Sequence, residues 1–165
     1  QIGSQVSLNE LGNNLGIAKQ SVERYLDLLE KSFIIKKVGG FSRNLRKEIV
    51  KSNRYYFWDN GIRNALINNF NPLDQRNDLG MLWENFVFME RLKTKEYKRL
   101  FSNDYFWRTY DQQEIDLIEE REGKLYGFEF KYSPRKIKAP KAWTNAYPDA
   151  QFTVISKDNF LEFLI

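Results

Sequence analysis

Ile115-Asp116-Leu117-Ile118 and, further on, Gly127-Phe128-Glu129-Phe130-Lys131 decide how this chain is read. Both runs are strand-like, and strand side chains alternate between two faces. Tyr126, Phe128, Phe130 and Tyr132 therefore point one way, and Glu129 and Lys131 share the other. If the two strands pair with their acids on a common face, Asp116 and Glu129 form an oxygen-rich site with an ammonium beside it. Such a site suits a hard cation such as Mg²⁺, which takes one or two carboxylates and leaves room for phosphate oxygens. The plainer reading is a charged pair on the solvent face of an amphipathic strand. Against it, Asp116 stands among aliphatic residues, where an unpaired carboxylate costs several kcal/mol. A cation, a protonated carboxyl or a partner lysine would each relieve that cost.

Composition removes several chemistries. The 165 residues contain no cysteine and no histidine, which excludes disulfides, thiolate catalysis, His-dependent triads and His-ligated zinc. A catalytic metal would have to be held by carboxylates, carbonyls and water. No apolar run approaches the roughly 20 residues of a membrane span. The opening Gln1-Ile2-Gly3-Ser4 has neither an initiator Met nor a basic segment leading into an apolar one, so the expectation is a piece of a longer cytoplasmic protein.

Net charge is only +4 but unevenly spread. Lys36, Lys37, Arg43, Arg46, Lys47, Lys51 and Arg54 surround a lone acid, Glu48. A second basic group, Lys131, Arg135, Lys136, Lys138 and Lys141, follows the Glu-x-Lys strand, and the rest of the chain is net acidic. Two such patches are the footprint of a polyanion partner, here nucleic acid with DNA foremost.

Along the chain, Ser7 and Glu10 make a capping-box pattern for a helix over 7–17 that Gly16 ends. A second helix is expected from Ser21, with Val22, Tyr25, Leu26, Leu28 and Leu29 building its buried side. Strand-like segments over 33–38 and 51–58 flank a Gly-Gly and basic loop. Helix-turn-helix followed by a hairpin is the order of a winged helix. The second helix exposes a near-neutral set of charges, poor for phosphate neutralisation, so docking or architectural use ranks slightly above sequence-specific DNA reading. Asp59 is placed to cap a helix over 62–68, and Asn69 to Asp74 breaks regularity. The expected division is therefore a winged helix-turn-helix over 1–70 and a second domain over 71–165.

That second part opens with a helix over 79–97 carrying two apolar stripes, one of Leu79, Leu82, Trp83, Phe86 and Val87 and another of Met81, Phe88 and Leu92. Glu84 borders the second stripe, where an acid needs a base or faces a cleft. Strands over 104–109 and around Asp116 and Glu129, a helix over 140–147 and a strand over 151–155 complete an α/β layer with a mixed sheet.

This order, with an acid on the first helix, Asp on the second strand and Glu-x-Lys on the third, resembles the PD-(D/E)xK restriction-endonuclease-like superfamily. The fold class implied is α/β (α+β), a mixed sheet with flanking helices behind the winged helix. More narrowly, Val22-Glu23-Arg24-Tyr25-Leu26, Tyr56-Phe57-Trp58-Asp59-Asn60-Gly61, Gly80 to Val87, Trp107-Arg108-Thr109, Glu114-Ile115-Asp116 and Glu129-Phe130-Lys131 resemble the C-terminal module of bacterial and archaeal AAA-type ATP-binding proteins. The resemblance implies that Asp116 and Glu129 bind Mg²⁺ or Mn²⁺, that Glu84 assists the metal and that Lys131 orients or activates water. The reaction implied is phosphodiester hydrolysis. Ile115 stands where the superfamily pattern has proline. No phosphate-binding G-x-x-x-x-G-K-[ST] occurs, so ATP binding is not assigned to this segment; the ATPase domain that the resemblance implies would, if present, lie N-terminal to Gln1. Lys36, Lys37, Arg43, Arg46, Lys47, Lys51, Arg108, Arg135, Lys136 and Lys138 are the expected nucleic-acid contacts. The rivals are a non-catalytic module that grips DNA or docks the ATPase, and a winged-helix regulator; the oligomeric state stays open.

Overall fold

The computed structural model describes residues 2–43 and 52–165, a mixed α/β arrangement with seven strands in one sheet and six helices among those residues. After the short strand β1 (Gln5–Val6), helix α1 (Leu8–Leu15) starts where its cap predicts: Ser7 Oγ accepts from the Glu10 amide at 3.3 Å. Gly16 ends the helix at φ 65°, a left-handed conformation that glycine adopts without steric cost. Helix α2 (Lys19–Lys31) begins two residues before the expected Ser21, and of its expected buried side only Val22 is buried, with Tyr25, Leu28 and Leu29 exposed. Strands β2 (Ile35–Gly40) and β3 (Asn53–Phe57) pair antiparallel from Ile35–Phe57 to Gly39–Asn53. Asp59 Oδ1 then accepts from the amides of Gly61 and Ile62 and caps α3 (Asn60–Leu66).

The second half supplies α4 (Leu79–Lys98), β4 (Asn103–Arg108), β5 (Glu114–Arg121), β6 (Lys124–Phe130), α5 (Lys141–Ala146), β7 (Gln151–Ile155) and α6 (Phe160–Leu164). The strand order is β1-β3-β2-β4-β5-β6-β7. The β2–β4 and β6–β7 pairs are parallel and the others antiparallel. The sheet does not stop at the division expected at 70/71. Gly39 and Gly40 pair with Tyr105 and Phe106, and the Phe41 amide donates to the Phe106 carbonyl at 2.7 Å. The hairpin that sequence alone reads as a wing is thus also an inner part of the common sheet.

Each face of the sheet carries its own core, as strand alternation requires. Val38, Tyr56, Phe106, Leu117, Phe128 and Phe130 pack with Leu82, Trp83, Val87 and Phe88 of α4. On the other side Phe41, Trp107, Ile115, Ile118 and Leu125 meet Trp143 and Tyr147. Helix α4 departs from its two expected apolar stripes. Met81 and Phe86 are exposed, while Asn85, Arg91 and Lys95 are buried. Asn85 exchanges two hydrogen bonds with the Phe57 backbone, at 2.7 and 2.8 Å. It thereby satisfies a strand position that β1, paired only to Asn53 and Arg54, does not reach.

Candidate carboxylate site

Asp116 owes its direction to an irregularity in β5. Tyr105 pairs with Ile118 and Trp107 with Ile115, so Asp116 and Leu117 stand opposite Phe106 alone. A bulge of this kind bends the strand and re-aims a side chain. Asp116 is buried, and its Oδ2 accepts from the Phe130 amide at 2.9 Å, which fixes it against β6 between Glu129 and Lys131. Lys131 Nζ lies 2.6 Å from Glu129 Oε1, while Glu129 Oε2 is buried without a hydrogen-bond partner among the described residues.

Glu84 reaches the same place from α4. Its Oε1 accepts from the Tyr56 hydroxyl at 2.8 Å, and Tyr56 is itself fully buried and stacked on Phe88 with ring centroids 4.2 Å apart. Gly3 presses on this carboxylate from the amino-terminal side: a Cβ there would stand 2.5 Å from Glu84 Oε1. Between the acids sits Arg54, two residues before Tyr56 and therefore on the same face of β3. Its Nη1 lies 3.5 Å from Glu84 Oε1 and 3.4 Å from Asp116 Oδ1, and its Nη2 lies 2.9 Å from Glu114 Oε2. The guanidinium rests over the Phe106 ring, 4.8 Å from its centroid.

Sequence reasoning named Glu84, Asp116, Glu129 and Lys131, and all four belong to this cluster. It missed Arg54, Tyr56 and Glu114 as members. The available signal was an arginine heading the aromatic run Tyr55-Tyr56-Phe57-Trp58, which has to find an anion once that strand is buried.

The acids outnumber the cations here, and their proton affinities reflect it. Burial, reinforced by Asp116, pushes Glu84 up to about 8 from the ordinary 4.5. Burial and Asp116 likewise push Glu129 up to about 7. Burial also raises Asp116, against the opposing pull of Arg54 and Lys131. For Lys131, burial works downward, but Asp116, Glu129 and Glu84 outweigh it and hold the ammonium above its ordinary range.

A second buried cluster behaves oppositely. Glu119 is fully buried on β5 and takes two hydrogen bonds from Arg91, at 2.8 and 3.0 Å, with Lys95 and Arg121 each at 3.3 Å. Lys95 also pairs with Asp104 and donates to Ser102, and Arg91 donates to the Phe163 carbonyl at 2.6 Å. Burial alone would raise Glu119; Arg91 and the two further cations instead hold it below the usual carboxylate value.

The expected nucleic-acid contacts are dispersed. Lys36 lies 3.8 Å from Glu30, the Lys37 amide donates to that same carboxylate, and Arg43 pairs with Glu120 at 2.7 Å. Arg108 donates to Gln5 at the sheet end near the cluster. Arg135, Lys136 and Lys138 are exposed in the coil after β6, immediately beyond Lys131. Arg46, Lys47 and Lys51 lie outside the described residues.

Among the described residues no three acidic side chains stand as a ready-made metal shell. Asp116 and Glu129 instead offer a pair. Hard oxygen donors, with a buried Glu129 oxygen lacking a partner, fit a hard cation that keeps waters and takes one or two carboxylates. No helix among the described residues is long and apolar enough to cross a membrane.

Comparison with known proteins divides the chain close to residue 75. Residues 79–163, the segment carrying Glu84, Asp116, Glu129 and Lys131, match the family described as "Domain of unknown function (DUF4143)". The chain belongs to the DUF4143 family. Residues 1–73, which supply Gly3, Arg54 and Tyr56, match "Domain of unknown function (DUF8612)". DUF4143 segments typically occur with AAA ATPases. Uncharacterized proteins of Mycobacterium bovis and Mycobacterium tuberculosis are each 31% identical over 131 residues, covering 78% of this chain and 29% of their own length. The chain thus spans under a third of the curated relatives it matches. No solved structure matches it.

Proposed function

We propose that this segment is a divalent-metal-dependent phosphodiesterase acting on nucleic acid, with a PD-(D/E)xK-type site at Glu84, Asp116, Glu129 and Lys131. One observation carries the reading: acids from α4, β5 and β6, remote in sequence, meet around Arg54 and Lys131, with acids outnumbering bases. Asp116 and Glu129 would hold Mg²⁺ or Mn²⁺, with Glu84 beside them. The cation would supply Lewis acidity toward the phosphate and ease deprotonation of water. Lys131, held by Glu129 at 2.6 Å, would orient the attacking water or the scissile phosphate. Arg135, Lys136 and Lys138 extend from the same strand end as a track for the phosphate backbone.

The first 70 residues fit a winged helix used for docking. Lys19 and Lys31 of α2 are tied to Glu23 and Asp27, while Tyr25, Leu28 and Leu29 remain exposed. An apolar, charge-balanced face of this kind favours a protein partner over phosphates, and the natural one is the AAA ATPase that accompanies this family.

Arg54 supports a second reading, a non-catalytic module of the same fold that grips nucleic acid or the ATPase. In it the guanidinium permanently supplies the charge that Glu84 and Asp116 need. Incubating labelled single strands, duplexes and branched junctions with the chain and Mg²⁺ or Mn²⁺ separates the two. Cleavage that disappears in the Glu129→Ala, Lys131→Ala double variant is the expected result. Salt-sensitive binding without cleavage, indifferent to metal, would favour the second reading.

A further inference from the structure

We propose that Arg54 is a resident counter-cation of the carboxylate site, supplied by the amino-terminal half, and that a divalent ion must displace it to reach Asp116. The proposal rests on reading the cluster as a divalent-cation site. Asp116 has two acceptor oxygens: Oδ2 is committed to the Phe130 amide, and Oδ1 faces Arg54 Nη1 at 3.4 Å. Glu84 Oε1 is likewise shared between Tyr56 and Arg54. A doubly charged ion bound through Asp116 Oδ1 would thus stand against the guanidinium and repel it.

The three distances around Arg54 are unequal, and they indicate where it would go. Its shortest contact, 2.9 Å, is to Glu114 at the rim, whereas those to Asp116 and Glu84 are 3.4 and 3.5 Å. The Glu114 side chain is 45% exposed and that of Arg54 only 4%. Arg54 can therefore swing outward while keeping its best partner, which leaves Asp116 and Glu84 to the incoming ion. Its Nε, buried without a hydrogen-bond partner among the described residues, ties it to the inner position by no bond of its own. Because β3 belongs to the 1–73 segment and the acids Glu84, Asp116 and Glu129 to the 79–163 segment, one part of the chain would regulate metal entry into the other.

The test is Mn²⁺ binding, read calorimetrically and by thermal melting, for the wild-type chain and for Arg54→Gln, Arg54→Lys and Asp116→Asn. Removing one positive charge from beside Asp116 and Glu84, two of its three acid contacts, should tighten Mn²⁺ binding about tenfold or more in Arg54→Gln. That variant should also gain more melting temperature from Mn²⁺ than wild type does, while Arg54→Lys stays close to wild type. If Arg54→Gln needs metal to fold, restoration of its native melt by Mn²⁺ supports the proposal, and failure to fold at saturating Mn²⁺ overturns it. Wild-type binding that Asp116→Asn abolishes but Arg54→Gln leaves equal or weaker would remove the role of Arg54 and spare the metal site. No Mn²⁺ binding by either wild type or Arg54→Gln would remove both.

Discussion

Glu119 and Asp116 are both buried acids on β5, three residues apart, yet they sit in clusters of opposite character. Around Glu119, three cations (Arg91, Lys95 and Arg121) close on that carboxylate and Asp104, and the acid is held ionised below its usual range. Around Asp116, four acids share Arg54, Lys131 and, at the rim, Arg108, and Asp116, Glu84 and Glu129 all retain protons more tightly than in water. Burial is common to both. The local charge balance decides whether a buried carboxylate clasps the fold or waits for a cation.

The largest expected effect lies in the clasp. Glu119→Ala leaves Arg91 and Lys95 buried without their shared anion, which should cost about 3–5 kcal/mol in urea unfolding. Asp116→Asn keeps the acceptor for the Phe130 amide and relieves repulsion from Glu84 and Glu129. It should cost under about 1 kcal/mol or stabilise slightly. Equal losses for the two substitutions would break the comparison.

The pH response comes next. Glu84 and Glu129 titrate near 8 and 7 in the folded chain and near 4.5 when unfolded. Between those values the folded state holds more protons, so its stability should fall as pH rises from about 4.5 toward 8. The slope is at most about 1.4 kcal/mol per pH unit for each group. Glu84→Gln and Glu129→Gln should each flatten it in melting curves run across that range; an unchanged slope in both would deny the shared charge. Glu119, lowered rather than raised, contributes stability that is lost only when pH falls toward its own folded value.

How much of this was legible in the sequence follows the range of the interactions. The caps of α1 and α3 depend on residues three or fewer apart, and they stand where Ser7 and Asp59 predict. The Glu-x-Lys pair and the Asp116 strand form a hairpin, so they too could be read from alternation. The bulge at Asp116–Leu117 could not: it is set by pairing against Phe106 on another strand. Nor could the partnership of Arg54 with Asp116, 62 residues away. Sequence alone reads Arg54 as one more charge in a basic patch, because only the parallel β2–β4 pairing carries β3 to the acids. Counting apolar residues in α4 also hid Asn85, Arg91 and Lys95, which are buried because they serve the Phe57 backbone and Glu119. The strand β1 and the helix α6 were too short to carry a periodic signal.

The most direct measurement is calorimetric titration of Mn²⁺ into the chain at pH 6 and pH 8, with Asp116→Asn as control. The expected result is a single site, tighter at pH 8 because protons leave Glu84 and Glu129 as the ion enters, and lost in the variant. Absence of binding at both pH values, or binding that Asp116→Asn leaves intact, would contradict the reading of this cluster as a divalent-cation site.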